Sequence, residues 1–366
     1  MSAFRLAHAS GIGWRDCVDA CAAQLGRGDG LGFAYFTDAL VPDAARIVDA
    51  LRERTGVRDW VGTVGIGVLA TGVEYVDEPA LVAMVADLEP GRYTVFSGKA
   101  RLPQFAARAA GDPAAADFAV VHADPHAPEV QELIADMSGK VASGYLVGGL
   151  SSSRTATVQI ANEVLSGGLS GVALTSEVRV STRLTQGCSP LAGRHRVTEC
   201  DENVIAAFDG RPALDVFRES VGEVLARDLR RAVQTIHVGL PVVGSDTGDY
   251  KVRNVIGLDM RNKLIAIGEA VEAGDEILFC KRDGASARED LRRMLGELKS
   301  AGAHAARGAL YFSCVARGEH MFGRRGAELE LVREALGDLP LVGFFCSGEI
   351  SHDRLYGYTG VLTLFF

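Results

Sequence analysis

Two oppositely charged residues that each adjoin a glycine, Arg317 before Gly318 and Glu349 after Gly348, are the pair best suited to hold a small zwitterion or anion. A guanidinium binds a carboxylate through charge-assisted hydrogen bonds, and a carboxylate does the same for an ammonium group. The neighbouring glycines, which carry no Cβ, leave room for a ligand to approach. Cys314, three residues before Arg317, belongs to the same segment. Neutral hydrogen-bonding groups come from elsewhere in the chain: Gly148, Gly149, Ser151 and Gln186. The competing reading of Arg317 and Glu349 is an internal ion pair between neighbouring strand ends.

An enzyme is the alternative of another class. Cys314, His320 and Glu349 are the right residue types for a nucleophile, a base and an orienting carboxylate, although nothing in their spacing brings them together. The bland reading of Cys314 is a buried structural thiol. Phosphate motifs are missing, because Gly62–Gly67 and Gly144–Gly149 lack the Gly-Lys-Ser/Thr ending of a P-loop. The seven cysteines are scattered with no Cys-x-x-Cys pair, so no zinc site is read and the thiols are expected to be reduced.

A net charge of −9 opposes nucleic-acid binding, which depends on Lys and Arg displacing counterions. The longest apolar run, Ala80–Ala86, is far short of a membrane span, so no membrane insertion is expected. Met1–Ser10 lacks the apolar core of a signal peptide, so a cytoplasmic location is expected.

The elements that must position these residues form an internal repeat. Three segments each run from an apolar strand through a helical pattern to a strand ending in Gly-x4-Gly: 31–67, 117–149 and 309–348. A further strand and helix precede the first (Phe4–Ala9, Trp14–Leu25) and the third (Glu276–Lys281, Ala287–Leu298). The last helix is expected to open on a capping box, Ser286-x-x-Glu289. Between them, about 169–271, polar and apolar residues alternate as in antiparallel strands, with one helix after Asp209-Gly210. The fold class expected is α/β: two interlocked lobes, each with repeated β-α-β-α-β units, and a more antiparallel, β-rich middle.

Several motifs in fixed order resemble the FIST family: Thr185-Gln-Gly-Cys-Ser-Pro190, Asp209-Gly-Arg-Pro-Ala213, Phe312-Ser-Cys-Val-Ala-Arg-Gly318 and Gly343-Phe-Phe-Cys-Ser-Gly-Glu-Ile350. The resemblance covers nearly the whole chain, with residues 1–205 as the N-terminal region and 206–366 as the C-terminal one. It implies a sensory module of intracellular signal transduction that binds an amino-acid-like metabolite. Family members also stand beside histidine kinases and cyclic-dinucleotide enzymes, so the resemblance implies such an enzyme as output partner. An alternative within the family is a haem-binding nitric-oxide sensor, for which His8, His195, His320 and His352 are the axial candidates.

Overall fold

Unbroken apolar runs make strands buried on both faces, and the repeat segments supply them. The computed structural model describes residues 4–98, 116–242 and 250–366. Two compact units result, residues 1–185 with 291–366, and residues 186–290. The 205/206 boundary of the sequence motifs therefore falls inside the second unit, which divides the chain differently from the motif regions.

In chain order the first repeat is β1 (Phe4–Ser10), α1 (Trp14–Leu25), β2 (Leu31–Thr37), α2 (Ala44–Thr55), β3 (Asp59–Gly65), a hairpin of β4 (Gly67–Ala70) and β5 (Val73–Val76), then β6 (Ala80–Ala86). The second is β7 (Tyr93–Phe96), β8 (Ala116–Ala123), α3 (Val130–Ser138), β9 (Tyr145–Leu150), the hairpin β10 (Gln159–Ala161) and β11 (Val164–Leu165), then β12 (Leu169–Thr175). The third opens with β13 (Val180–Gln186) and is interrupted by the second unit. That unit holds β14 (Cys188–Asp201), β15 (Val204–Phe208), β16 (Arg211–Pro212), α4 (Ala213–Ala226), α5 (Leu229–Thr235), β17 (Ile236–Pro241), β18 (Tyr250–Asp259), β19 (Leu264–Ile267) and β20 (Glu276–Arg282). The third repeat resumes through α6 (Gly284–Ser300), β21 (Gly308–Cys314), α7 (Gly318–Phe322), α8 (Ala327–Leu336), β22 (Leu341–Cys346), the hairpin β23 (Glu349–Ser351) and β24 (Arg354–Tyr356), and β25 (Thr359–Phe365).

The first unit builds three six-stranded sheets of one design: β1-β6-β2-β3-β10-β11, β7-β12-β8-β9-β23-β24 and β13-β25-β21-β22-β4-β5. At the heart of each lies a parallel pair joined by a helical crossover, β2/β3, β8/β9 or β21/β22. Beside the second strand of each pair lies a hairpin strand from a different repeat: β10 on β3, β23 on β9 and β4 on β22. Each repeat thus lends its hairpin to the sheet of another, in a closed three-way exchange. The inner faces share one apolar core, whereas α1 and α2 cover the outer face of the first sheet and α3 that of the second.

Three glycines hold equivalent places in the pairs. Gly62, Gly148 and Gly343 lie opposite Ala34, Val121 and Tyr311, and a Cβ on each would sit 1.8, 1.8 and 1.7 Å from that partner's carbonyl oxygen. One residue further along β2, β8 and β21 come Tyr35, His122 and Phe312. These meet in the core with ring centroids 5.5–6.3 Å apart.

Three expectations need correction. Gly148, not Gly144, matches Gly62 and Gly343, so the Gly-x4-Gly of the second segment is out of register with the other two. The strand corresponding to β1 in the third repeat is β13, because β20 pairs with β14 and β17 inside the second unit. The α6 helix begins before Ser286: Asp283 Oδ1 accepts hydrogen bonds from the backbone N–H groups of Ala285 and Ser286 and caps it.

The second unit is antiparallel, as the alternating pattern suggested. Its order is β14-β20-β17-β18-β19-β15-β16, and β14 also pairs with β15, so six strands close into a ring. Phe208, Phe217 and Phe279 centre a core of its own beneath α4 and α5.

Candidate functional site

The Cys314-Val-Ala-Arg317 segment leaves the C-terminal end of β21, and Cys346-Ser-Gly-Glu349 leaves its parallel neighbour β22. Parallel strands joined by a crossover present their carboxyl ends together, where ligands of α/β proteins are held. Cys314 stands directly opposite Cys346 in the register. Glu349 begins β23, where it pairs with Gly149 of β9. A Cβ on Gly149 would collide with the Cys346 sulfur at 2.6 Å, and one on Gly348, at φ 153°, would meet Leu355 at 2.9 Å. Gly148 is the next residue in that ladder, opposite Ile350.

Arg317 is fully buried, and its carboxylate partner is Glu328 rather than Glu349. The guanidinium Nε donates to Glu328 Oε1 at 2.8 Å and Nη2 lies 2.6 Å from the same oxygen. Glu328 also accepts from the Tyr311 hydroxyl at 2.6 Å and the Ser313 hydroxyl at 3.1 Å. The Phe322 ring lies 5.2 Å from the guanidinium carbon, a cation–π contact that covers it. Burial works against the charge, but the carboxylates of Glu328 and Glu349 and the Tyr311 phenol prevail and raise the guanidinium above its ordinary range. Among the described residues, Nη1 has no hydrogen-bond acceptor.

Glu349 is fully buried as well, so neither charged group faces a water-accessible cavity as the glycines beside them suggested. Its Oε2 accepts the backbone N–H of Thr359 at 3.1 Å and the Thr359 hydroxyl at 2.7 Å. Burial pushes its carboxyl up to about 8, while the Thr359 bonds and the Arg317 charge pull in the other direction. Oε1 takes no hydrogen bond from a nitrogen or oxygen donor among the described residues. Burial first, and then the Glu349 charge, push the Cys314 thiol well above its ordinary range, which shrinks the thiolate fraction a nucleophile needs.

The fold brings Cys314, Arg317, Gly348, Glu349, Gly148 and Gly149 together in the first unit. Ser151 belongs to the same unit but is spent internally, its hydroxyl 2.7 Å from that of Thr63 and 3.2 Å from the Ala123 carbonyl. Gln186 belongs to the second unit, where its amide donates to the Tyr250 carbonyl at 3.2 Å. Of the histidines, His8 contacts the Tyr75 hydroxyl at 2.6 Å, His195 lies between Asp209 and Ser220, His352 contacts Asp353 and His320 is exposed.

Sequence reasoning overlooked Glu328, Tyr311 and Thr359. The clearest signal was Glu328, four residues before Val332 on the apolar stripe of α8, since a carboxylate on a buried helix face demands a cation.

Two domain models match the chain, the FIST N domain over residues 30–211 and the FIST C domain over residues 213–352. An uncharacterized protein of Mycobacterium tuberculosis is 31% identical over 357 residues, covering 92% of this chain and 90% of its own length. An uncharacterized protein of Mycobacterium bovis is 30% identical over 336 residues, covering 88% and 86%. The ordered motifs, the two matched domains and this coverage together make the chain a member of the FIST family.

Proposed function

We propose that this chain is a sensory protein that binds a small amino-acid-like metabolite at the cluster of Arg317 and Glu349 and passes the signal to a partner, a histidine kinase or a cyclic-dinucleotide enzyme. The family is associated with sensory signal transduction. The observation that carries the reading is a complementary pair of buried atoms, Nη1 of Arg317 and Oε1 of Glu349, for which no nitrogen or oxygen hydrogen-bond partner is found among the described residues. A buried polar atom without a partner costs about 1–3 kcal/mol, so such groups persist where something else completes them. The donor suits a carboxylate of the ligand and the acceptor suits its ammonium group. Access requires the covering segment α7 to move. Gly318 at φ 54° and Gly323 at φ 80° bracket it, and both are conformations that glycine adopts without strain.

The test is a thermal-shift screen of amino acids and short carboxylates, with calorimetric titration of any stabilising compound. Arg317→Lys keeps a cation beside Glu328 but removes the fork, and Glu349→Gln removes the ionisable carboxyl, and with it the carboxylate that an ammonium group would pair with, at the same volume. Each is expected to weaken binding about 10- to 100-fold, the worth of one charge-assisted hydrogen bond. Unchanged affinity in both variants, or no stabilising compound in the set, refutes the reading. A Soret band that survives desalting after incubation with haemin turns it toward the haem sensor instead.

A further inference from the structure

Outside the polar cluster, two cysteines of the second unit lie close together on adjacent strands. Cys188 is the first residue of β14 and pairs with Arg282, whereas Cys280 on β20 pairs with Pro190. The two cysteines are diagonal neighbours, two positions apart in the ladder, so both side chains project from the same face of the sheet. The neighbouring Cys188 thiol, and then burial, raise the Cys280 thiol above its ordinary range. Both residues are buried, and both are in the thiol form.

We propose that Cys188 and Cys280 form an oxidisable dithiol site, which a small peroxide converts to a disulfide that staples the second unit. The ladder at this point can yield to the shorter sulfur–sulfur distance. Pro190, opposite Cys280, has no N–H to donate, and the register shifts immediately afterwards, between Pro190 and Arg194. The bridge would enclose residues 188–280, nearly all of the unit that spans 186–290.

The chemistry balances with hydrogen peroxide as the oxidant. Cys188 gives up its proton and its sulfur attacks one peroxide oxygen, the O–O bond breaks, and the first water leaves behind a sulfenic acid. The Cys280 sulfur then attacks the Cys188 sulfur, the S–S bond forms as the S–O bond breaks, and the departing hydroxide takes the Cys280 proton as a second water. Two thiols lose two electrons, and one peroxide is reduced to two waters.

The full chain is treated with hydrogen peroxide, denatured, alkylated and digested. The expected result is a loss of two alkylatable thiols, a linked peptide joining Cys188 and Cys280, and reversal of both by dithiothreitol. Cys188→Ser and Cys280→Ser should each abolish the linked peptide, and oxidation should raise the unfolding temperature of the wild-type chain by several degrees but not that of either variant. If both cysteines remain fully alkylatable after peroxide, if they advance to sulfinic acids without a linked peptide, or if the bridge joins other cysteines instead, the proposal is overturned.

Discussion

At the scale of single residues, the site is a contest between burial and pairing. Arg317 is fully buried yet charged because Glu328 faces it, so Arg317→Ala would strand the Glu328 carboxylate and cost about 3–5 kcal/mol of stability irrespective of any ligand. Glu349 has no such close cation and holds its proton up to about pH 8, against an ordinary value of 4.5. Between those values the folded chain binds more protons than the unfolded chain, so this group's contribution is complete at low pH and falls as pH rises toward 8. The loss is on the order of 5 kcal/mol if the whole shift is expressed. Glu349→Gln should remove that slope. Urea midpoints of the variant and the wild type, measured from about pH 5 to pH 8, should converge and then cross, and a gap that stays constant with pH would contradict the assignment.

At the scale of elements, glycine placement explains how three parallel pairs share one geometry. In each pair the strand backbones approach so closely that a Cβ at Gly62, Gly148 or Gly343 would overlap a carbonyl oxygen. Backbone cannot rotate aside as a long side chain can, so Gly343→Ala should destabilise by about 3 kcal/mol or more. Gly296 is the contrast: it lies in the middle of α6 with nothing within 4 Å of a built Cβ. Gly296→Ala should stabilise by about 0.5–1 kcal/mol through helix propensity. Chemical denaturation of the two variants reads both signs, and equal effects would show that these glycines are interchangeable. The same close packing fills the centre with Tyr35, His122 and Phe312, where burial lowers the His122 ring to about 3 and keeps it neutral.

At the scale of the whole molecule, the second unit is an insertion in the third repeat. Its two ends meet, since the backbone N–H of Gln186 donates to Asp290 Oδ2 at 2.6 Å, and it has a separate core around Phe208, Phe217 and Phe279. Domains with adjoining ends and their own cores tend to fold alone. A fragment of residues 186–290 should therefore show near-ultraviolet circular dichroism and a single cooperative melting transition. A fragment that stays unfolded would mean that its ring of strands depends on the rest of the chain.

The family, the α/β class, the three repeats and the antiparallel middle were legible in the sequence, because apolar periodicity and ordered motifs are local signals. The candidate segments around Cys314, Arg317, Gly348 and Glu349 were legible for the same reason. Which groups pair was not. Glu328, on the stripe of α8, takes Arg317 because β21 and α8 face each other only after the crossover closes, and Gly149 meets Glu349 because a hairpin is exchanged between repeats. The register of the second repeat was misread because Gly144 and Gly148 are equivalent as letters, and only the pairing of β8 with β9 distinguishes them. Strand pairing joins residues hundreds of positions apart, and its selection by shared burial leaves no trace in any local window.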